Sequence, residues 1–229
     1  MKKNLIVTRA DDGVRDYTEF TFPYLKKYAE KCDAEFIVIT DTKDIHMHYR
    51  ILQFYELFDD YDRILSLDSD TLVLKSCPDI FKLVPFSKVA TIFEDKGSRQ
   101  ADRRERIKKA SERFGKIAWY EGYINTGFAL FSREHKFIFE PKEEKELYMD
   151  LGYDDVYLGY QIFKYGIGIH ELSYRFNHMS MFSEDWNMNA SRFDSYVIHY
   201  AGGVGFNPII PRSEQIRQDT LLLRKYSLI

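Results

Sequence analysis

The sequence predicts an α/β domain built on one mostly parallel sheet with helices on both faces. Two observations carry that prediction. Short apolar runs alternate along the 229-residue chain with stretches whose apolar residues recur at helical spacing. Acidic residues also gather just past the ends of the apolar runs, which is where open α/β sheets place their ligands. A chain of this length can enclose a sizeable core, and it holds no repeat, low-complexity tract or Pro/Gly-rich linker. One domain spanning residues 1–229 is therefore expected.

The elements follow in order. "NLIVT" is a buried strand that runs into the polar cluster Arg9 to Gly13. From Tyr17 to Cys32, Phe20, Tyr24 and Tyr28 mark a helix, and "EFIVIT" is the second strand. Ile51 to Phe58 is apolar on a wide face, which predicts a well-buried helix. "RILSLDSD" is read as a third strand followed by "TLVL". In the second half, "KVATIF", "TGFALF" and "YVIHYAGG" are expected strands, and Asp154 to Phe163 and Glu214 to Tyr226 expected helices.

Composition excludes several classes. Nearly half of the residues are apolar, so the chain is globular and not disordered. The net charge of -3 argues against a general nucleic-acid binder. Cys32 and Cys77 are too few for a disulfide framework or a Cys-based zinc site. The first apolar run is too short for a signal peptide and no later run could span a bilayer. A cytoplasmic, reducing compartment is expected, and the sequon at Asn189-Ala190-Ser191 carries little weight there.

The stretch "ILSLDSDTLVL" is the most informative. Asp68 and Asp70 close an apolar run, and period two puts them on one side of an extended segment. Aspartate is common in turns, so capping is one reading. However, two carboxylates about 4 Å apart repel by roughly 4 kcal/mol at an effective dielectric near 20. A divalent cation turns that repulsion into coordination, and hard oxygen ligands suit Mg²⁺ or Mn²⁺. If that holds, removing Asp70 is expected to leave metal-free stability unchanged or slightly raised.

"YDRILSLDSDTLVL" resembles the D-x-D segment of nucleotide-sugar glycosyltransferases with the type-A fold, a single-domain Rossmann-like sheet flanked by helices. Other segments resemble glycosyltransferase family eight in the same order. "NLIVTRADDGV" resembles its opening strand and loop, and "HYRILQFYELF" its donor-contacting helix. "YINTGFALFS" resembles its N-x-G strand, "YDDVYLGYQIF" its D-Q-D-x-L-N helix, and "VIHYAGG" its closing H-x-x-G. The resemblance implies a metal site of Asp68, Asp70 and His199 holding Mn²⁺ or Mg²⁺ against the diphosphate of a nucleotide sugar, a UDP-sugar by its closest match. It implies that Asp11 reads the uracil and that Arg50 reaches the donor. It extends the donor site to Ala10, Asp12 and Ser69, and to Gly202 and Gly203 of the closing segment. Asn125, Asp154 and Asp155 become the residues that handle the sugar, with Asp155 where the family's glutamine stands. A nucleotide-binding half of about 1–95 and an acceptor and sugar half of about 96–229 follow. The implied reaction is transfer to a hydroxyl acceptor on a glycan, glycolipid or protein, with the anomeric configuration retained. Two departures stand out: the family's closing motif continues to a lysine that grips the diphosphate, and "HYAGGVGFNPIIP" has none. Val14 also replaces the aromatic residue that stacks on the base.

The remaining features divide between two readings. His46 and His48 form an H-x-H that reads as surface polar residues, and "HEL" at His170 lacks the second histidine of a zincin. Arg99 to Lys116 is the one strongly basic stretch. It reads as a solvated, ion-paired helix face or as a basic lid in peripheral contact with an anionic glycan or lipid surface. Trp119, Tyr120 and Tyr123 suit sugar stacking and core packing equally. No G-x-S-x-G, Walker A loop or G-x-G-x-x-G occurs. A sugar-phosphate nucleotidyltransferase and a non-catalytic nucleotide-sugar binder remain as alternatives.

Overall fold

A computed structural model of the chain describes residues 3–229. Its strands are β1 (Asn4–Arg9), β2 (Ala34–Ile39), β3 (Arg63–Leu67), β4 (Thr71–Val73), β5 (Val89–Thr91), β6 (Phe128–Ser132), β7 (Ile169–Glu171) and β8 (Val197–His199). Its helices are α1 (Arg15–Lys31), α2 (Phe54–Leu57), α3 (Ile80–Leu83), α4 (Gln100–Phe114), α5 (Tyr153–Lys164) and α6 (Arg212–Lys225), with short 3₁₀ turns between them.

Six strands form one sheet in the order β2-β1-β3-β6-β5-β7. β2, β1 and β3 pair in parallel, β6 runs antiparallel between β3 and β5, and β5 pairs in parallel with β7. Five strands therefore point one way and only β6 opposes them, which is the mostly parallel sheet expected. The apolar runs are continuous because both faces are covered. Leu5, Val7, Ile64, Ala129 and Phe131 pack in one cluster while Ile6, Leu65, Phe128 and Leu130 pack in the other. Each fully buried side chain of this size is worth about 1.5–3 kcal/mol.

A second, two-stranded ribbon pairs β4 with β8, Thr71 opposite His199. A third cluster packs beneath it, joining Leu72 and Ile198 to Tyr24 of α1 and to Ile216 and Leu223 of α6. α6 is pinned further at Asp219, which accepts from both Arg192 and Tyr200.

Two predicted elements differ in kind. Ile51 to Phe58 is not one α-helix: a 3₁₀ segment, Met47–Gln53, runs into the single turn of α2. The apolar residues are buried as expected, but three residues per turn set Met47 and Arg50 on one face. The third strand also stops at Leu67, and Asp68–Asp70 form a turn whose Asp68 carbonyl accepts from Thr71 Oγ1 at 2.7 Å. The two aspartates thus leave a turn, not an extended strand.

Most of the basic stretch forms α4, and several of its cations pair with acidic groups of the protein. Arg103 pairs with Glu94, Arg104 with Asp95 and Glu121, and Lys109 with Asp150. Trp119 and Tyr123 are core residues, whereas Tyr120 is exposed. No helix among the described residues is long and apolar enough to cross a membrane.

Candidate active site

β1 and β3 lie side by side and in parallel, so Arg9 and Asp68 leave the sheet at the same edge. Strand order reverses there, with β2 on one side of β1 and β3 on the other. β6 begins at that edge too, where the Asp68 amide donates to the Gly127 carbonyl at 2.9 Å. Beyond these ends lies a cavity of about 300 Å³. Its walls include Ala10, Asp11, Arg50, Asp68, Ser69, Asp70, Asp154 and Asp155 from the predicted set.

Asp68, Asp70 and His199 each present one ligand atom, all within 4.8 Å of one another. His199 Nε2 lies 3.2 Å from Asp70 Oδ1 and 3.5 Å from Asp68 Oδ2. The outer oxygens are held by arginines: Arg9 Nη2 donates to Asp68 Oδ1 at 2.7 Å and Arg212 Nη1 to Asp70 Oδ2 at 2.9 Å. The facing atoms, Oδ2, Oδ1 and Nε2, remain turned toward one point. Gly127 permits this closeness, since a Cβ there would stand 2.6 Å from His199 Cε1 and 2.7 Å from Asp68 Oδ2.

Behind the ring runs a hydrogen-bond chain of fixed polarity. The Glu94 carboxylate accepts from Asn125 Nδ2, Asn125 Oδ1 accepts from Asn177 Nδ2, and Asn177 Oδ1 faces His199 Nδ1. The carboxylate can only accept, so each amide is oriented and His199 Nδ1 must carry a proton. In the neutral ring Nε2 is then a lone pair facing two carboxylates. Burial works against a charged ring, but Asp70 and Asp68 outweigh it and raise the His199 pKa. Asp68 is lowered: burial opposes ionisation, and Arg9 and His199 overcome it. Two oxygens and an imidazole nitrogen are a donor set that suits Mn²⁺ or Mg²⁺.

Asp154 and Asp155 open the first turn of α5. Asp154 Oδ2 accepts from Arg9 Nη1 at 2.6 Å and from Thr126 Oγ1 at 2.9 Å. Asp155 Oδ1 accepts from the Thr126 amide at 2.7 Å. Burial, with the charges of Asp154 and Glu94, pushes the Asp155 carboxyl well above the usual carboxylate range. Asp11 and Arg50, expected as separate donor contacts, form an ion pair of 2.6 Å. The Arg50 hydrogen bond, with one from the Gly13 amide, holds Asp11 below the usual range.

The structure does not bring every expected residue to the cavity. Asn125 and His199 lie behind its wall. Asp12 is exposed and faces a neighbouring open groove. Gly202 and Gly203 sit on the exposed loop after β8, with only the Gly202 carbonyl reaching toward the site through Arg212. Conversely, Arg9, His48, Thr126 and Arg212 line the cavity without having been expected there. Arg9 carries the same signal as Asp68, a charge at the end of an apolar run. His48, half of the H-x-H, stacks on Tyr153 with ring centroids 4.7 Å apart.

A model of the family described as Glycosyl transferase family 8 matches residues 14–205. Curated proteins give no match. Among solved structures, the galactosyltransferase LgtC in complex with donor and acceptor sugar analogs is similar, with a TM-score of 0.60 and 15% identity over 96% of this chain and 95% of that one. A glycosyltransferase involved in glycosylation of the major capsid of PBCV-1 matches at TM-score 0.58 and 14% identity, over 96% and 99% of the two chains. A Drosophila galactosyltransferase mutant in complex with manganese, UDP-Gal and xylobiose matches at 0.53 and 13%, over 88% and 72%.

Proposed function

The chain belongs to glycosyl transferase family 8 and is a glycosyltransferase with the type-A fold, and we propose that it is a metal-dependent enzyme that moves a sugar from a UDP-sugar to a hydroxyl acceptor on a glycan, glycolipid or protein, with retention. One observation carries this reading: Asp68 Oδ2, Asp70 Oδ1 and His199 Nε2 converge on a single point at the switch edge of the sheet. With the imidazole neutral, three acceptors meet there, a set that suits a cation between them.

The charge balance of the cavity supports the same reading. Arg9, Arg50 and Arg212 face Asp11, Asp68, Asp70, Asp154 and Asp155, so carboxyls outnumber guanidiniums. A diphosphate is repelled by such a wall until a divalent cation is loaded. When bound, the cation stabilises the leaving diphosphate as a Lewis acid while its negative charge grows. Arg9 keeps Asp68 and Asp154 in place from between them. Asp11, in its pair with Arg50, offers a carboxylate to the imide N–H of uracil. Asp155, whose carboxyl is pushed up by burial and by the charges of Asp154 and Glu94, can in its protonated form both donate to and accept from a sugar hydroxyl, as an amide would. Asp154, paired with Arg9, faces the side on which positive charge develops at the sugar. Asn125 acts from behind the wall, through Asn177, on His199. The nucleotide-binding half of about 1–95 and the sugar half of about 96–229 meet at this cavity. We place the enzyme in the cytoplasm, in keeping with two buried free thiols, Cys32 and Cys77.

The experiment is incubation with Mn²⁺ and a panel of sugar nucleotides without acceptor. Slow release of UDP from one sugar nucleotide is the expected result. Release of pyrophosphate, or binding without any turnover, would overturn the reading.

A further inference from the structure

Three guanidinium groups line the cavity, and they are not equally committed. Arg9 bridges two carboxylates and its side chain is 10% exposed. Arg50 is held by Asp11 and is 7% exposed. Arg212 makes one ion pair, through Nη1, and its side chain is 26% exposed. Its Nε and Nη2 have no protein partner among the described residues, while its guanidinium lies over the Tyr17 ring with its carbon 4.7 Å from the centroid.

The anchoring of Arg212 is firm. It is the first residue of α6, and α6 is packed against α1 and tied at Asp219 to Arg192 and Tyr200. Nothing between His199 and Pro211 is cationic. The cation site itself is charge-balanced by Asp68 and Asp70, and the Arg9 charge is matched by Asp154. A nucleoside diphosphate bound there brings further anionic charge, and of the three guanidiniums Arg212 is the most exposed with donors still free, the unpartnered Nε of Arg50 being buried.

We propose that Arg212 is the side chain that grips the diphosphate: it keeps Nη1 on Asp70 and turns Nε and Nη2 to the phosphate oxygens beside the cation. This rests on the functional reading above and adds the residue that recognises the leaving group. A planar fork suits a phosphate edge better than a point charge does.

The test uses the full chain, UDP and Mn²⁺. Isothermal titration of UDP into the Mn²⁺-loaded protein is compared for the parent, Arg212→Gln and Arg212→Lys. Mn²⁺ affinity without nucleotide is measured separately by paramagnetic resonance. Expected is a loss of UDP affinity of about tenfold or more in Arg212→Gln, as for one charge-assisted contact, with Arg212→Lys in between and Mn²⁺ affinity falling clearly less than UDP affinity. Unchanged UDP affinity in Arg212→Gln would overturn the proposal. An equal fall in Mn²⁺ and UDP affinity would overturn it as well, since Arg212 would then only brace Asp70. If the parent itself binds no UDP with Mn²⁺, the functional reading fails, a result distinct from either of these.

Discussion

His199 Nδ1 and Asn177 Oδ1 lie 2.7 Å apart, and Asn177 is fully buried. Because Asn177 Nδ2 is already committed to Asn125, this contact fixes both the ring orientation and its tautomer. Asn177→Leu removes that constraint while keeping the volume. The expected outcome is Mn²⁺ binding weakened about 10- to 100-fold, the usual cost of losing such a supporting contact. A paramagnetic resonance titration checks it. Unaltered affinity would mean that packing alone holds the ring.

Gly127 should be intolerant of any side chain. The Cβ of Gly127→Ala would meet Asn125 Oδ1 at 2.8 Å as well as His199 Cε1 and Asp68 Oδ2, all closer than contact allows. Some of them must move. A destabilisation of about 1–3 kcal/mol is expected from overpacking, together with loss of Mn²⁺ binding in a protein that still folds. Denaturant titration and metal titration on the same preparation separate the two effects.

The structure reverses the sign expected for Asp70. Without metal, Asp70 does not simply repel Asp68: it accepts from Arg212 and faces the raised imidazole of His199. Asp70→Asn should therefore lower metal-free stability, by about 1–3 kcal/mol for a lost charged hydrogen bond. The gain in Tm that Mn²⁺ gives the parent by mass action should vanish in the variant. Thermal melts in chelator and in Mn²⁺ give both numbers. A variant that melts higher in chelator would restore the simple repulsion picture.

Acid should weaken the fold through a histidine that is not among the three expected ligands of the cation. Burial, with the charge of Arg192, pushes His178 down to about 4. Its ring sits between Ser195 Oγ and Ser183 Oγ at 2.6 and 2.8 Å. The unfolded chain takes up the proton near pH 6.5, which the native ring refuses until about 4. Stability from this group is full above pH 6.5 and is lost as pH falls toward 4, a span worth about 3 kcal/mol. The stability gap between parent and His178→Gln should thus narrow by about 2–3 kcal/mol between pH 7 and pH 4.5. A gap independent of pH would contradict it. His135, also lowered to about 4 by burial, should behave likewise.

Much of this arrangement is legible in the sequence, for physical reasons. β1 and β3 are near-continuous apolar runs because both faces of the sheet are buried there, the half-buried edge strand β2 is still mostly apolar around Glu35, and α1 and α5 keep helical spacing over three turns or more. Asp68, Asp70 and His199 stand out as charges ending such runs. What brings them together, the antiparallel register of Thr71 with His199, is a long-range pairing with no local trace. β7 and α3 are too short to show periodicity. Asn177, Glu94 and Arg103 are polar residues in irregular or highly charged segments. There the sequence does not separate a buried, bonded group from a solvated one. Arg212 is illegible for the same reason, as one more cation at the start of a surface helix.

The most direct test of the account is a Mn²⁺ titration followed by paramagnetic resonance, with and without UDP, in the parent and in His199→Ala. One Mn²⁺ site is expected in the parent, tighter in the presence of UDP and tighter as pH rises, because His199 must release a proton to ligate. In His199→Ala that site should weaken and the pH dependence should flatten. Mn²⁺ binding of equal strength and equal pH dependence in the two proteins, or none in the parent at any UDP concentration, would contradict the assignment of Asp68, Asp70 and His199 as the metal site.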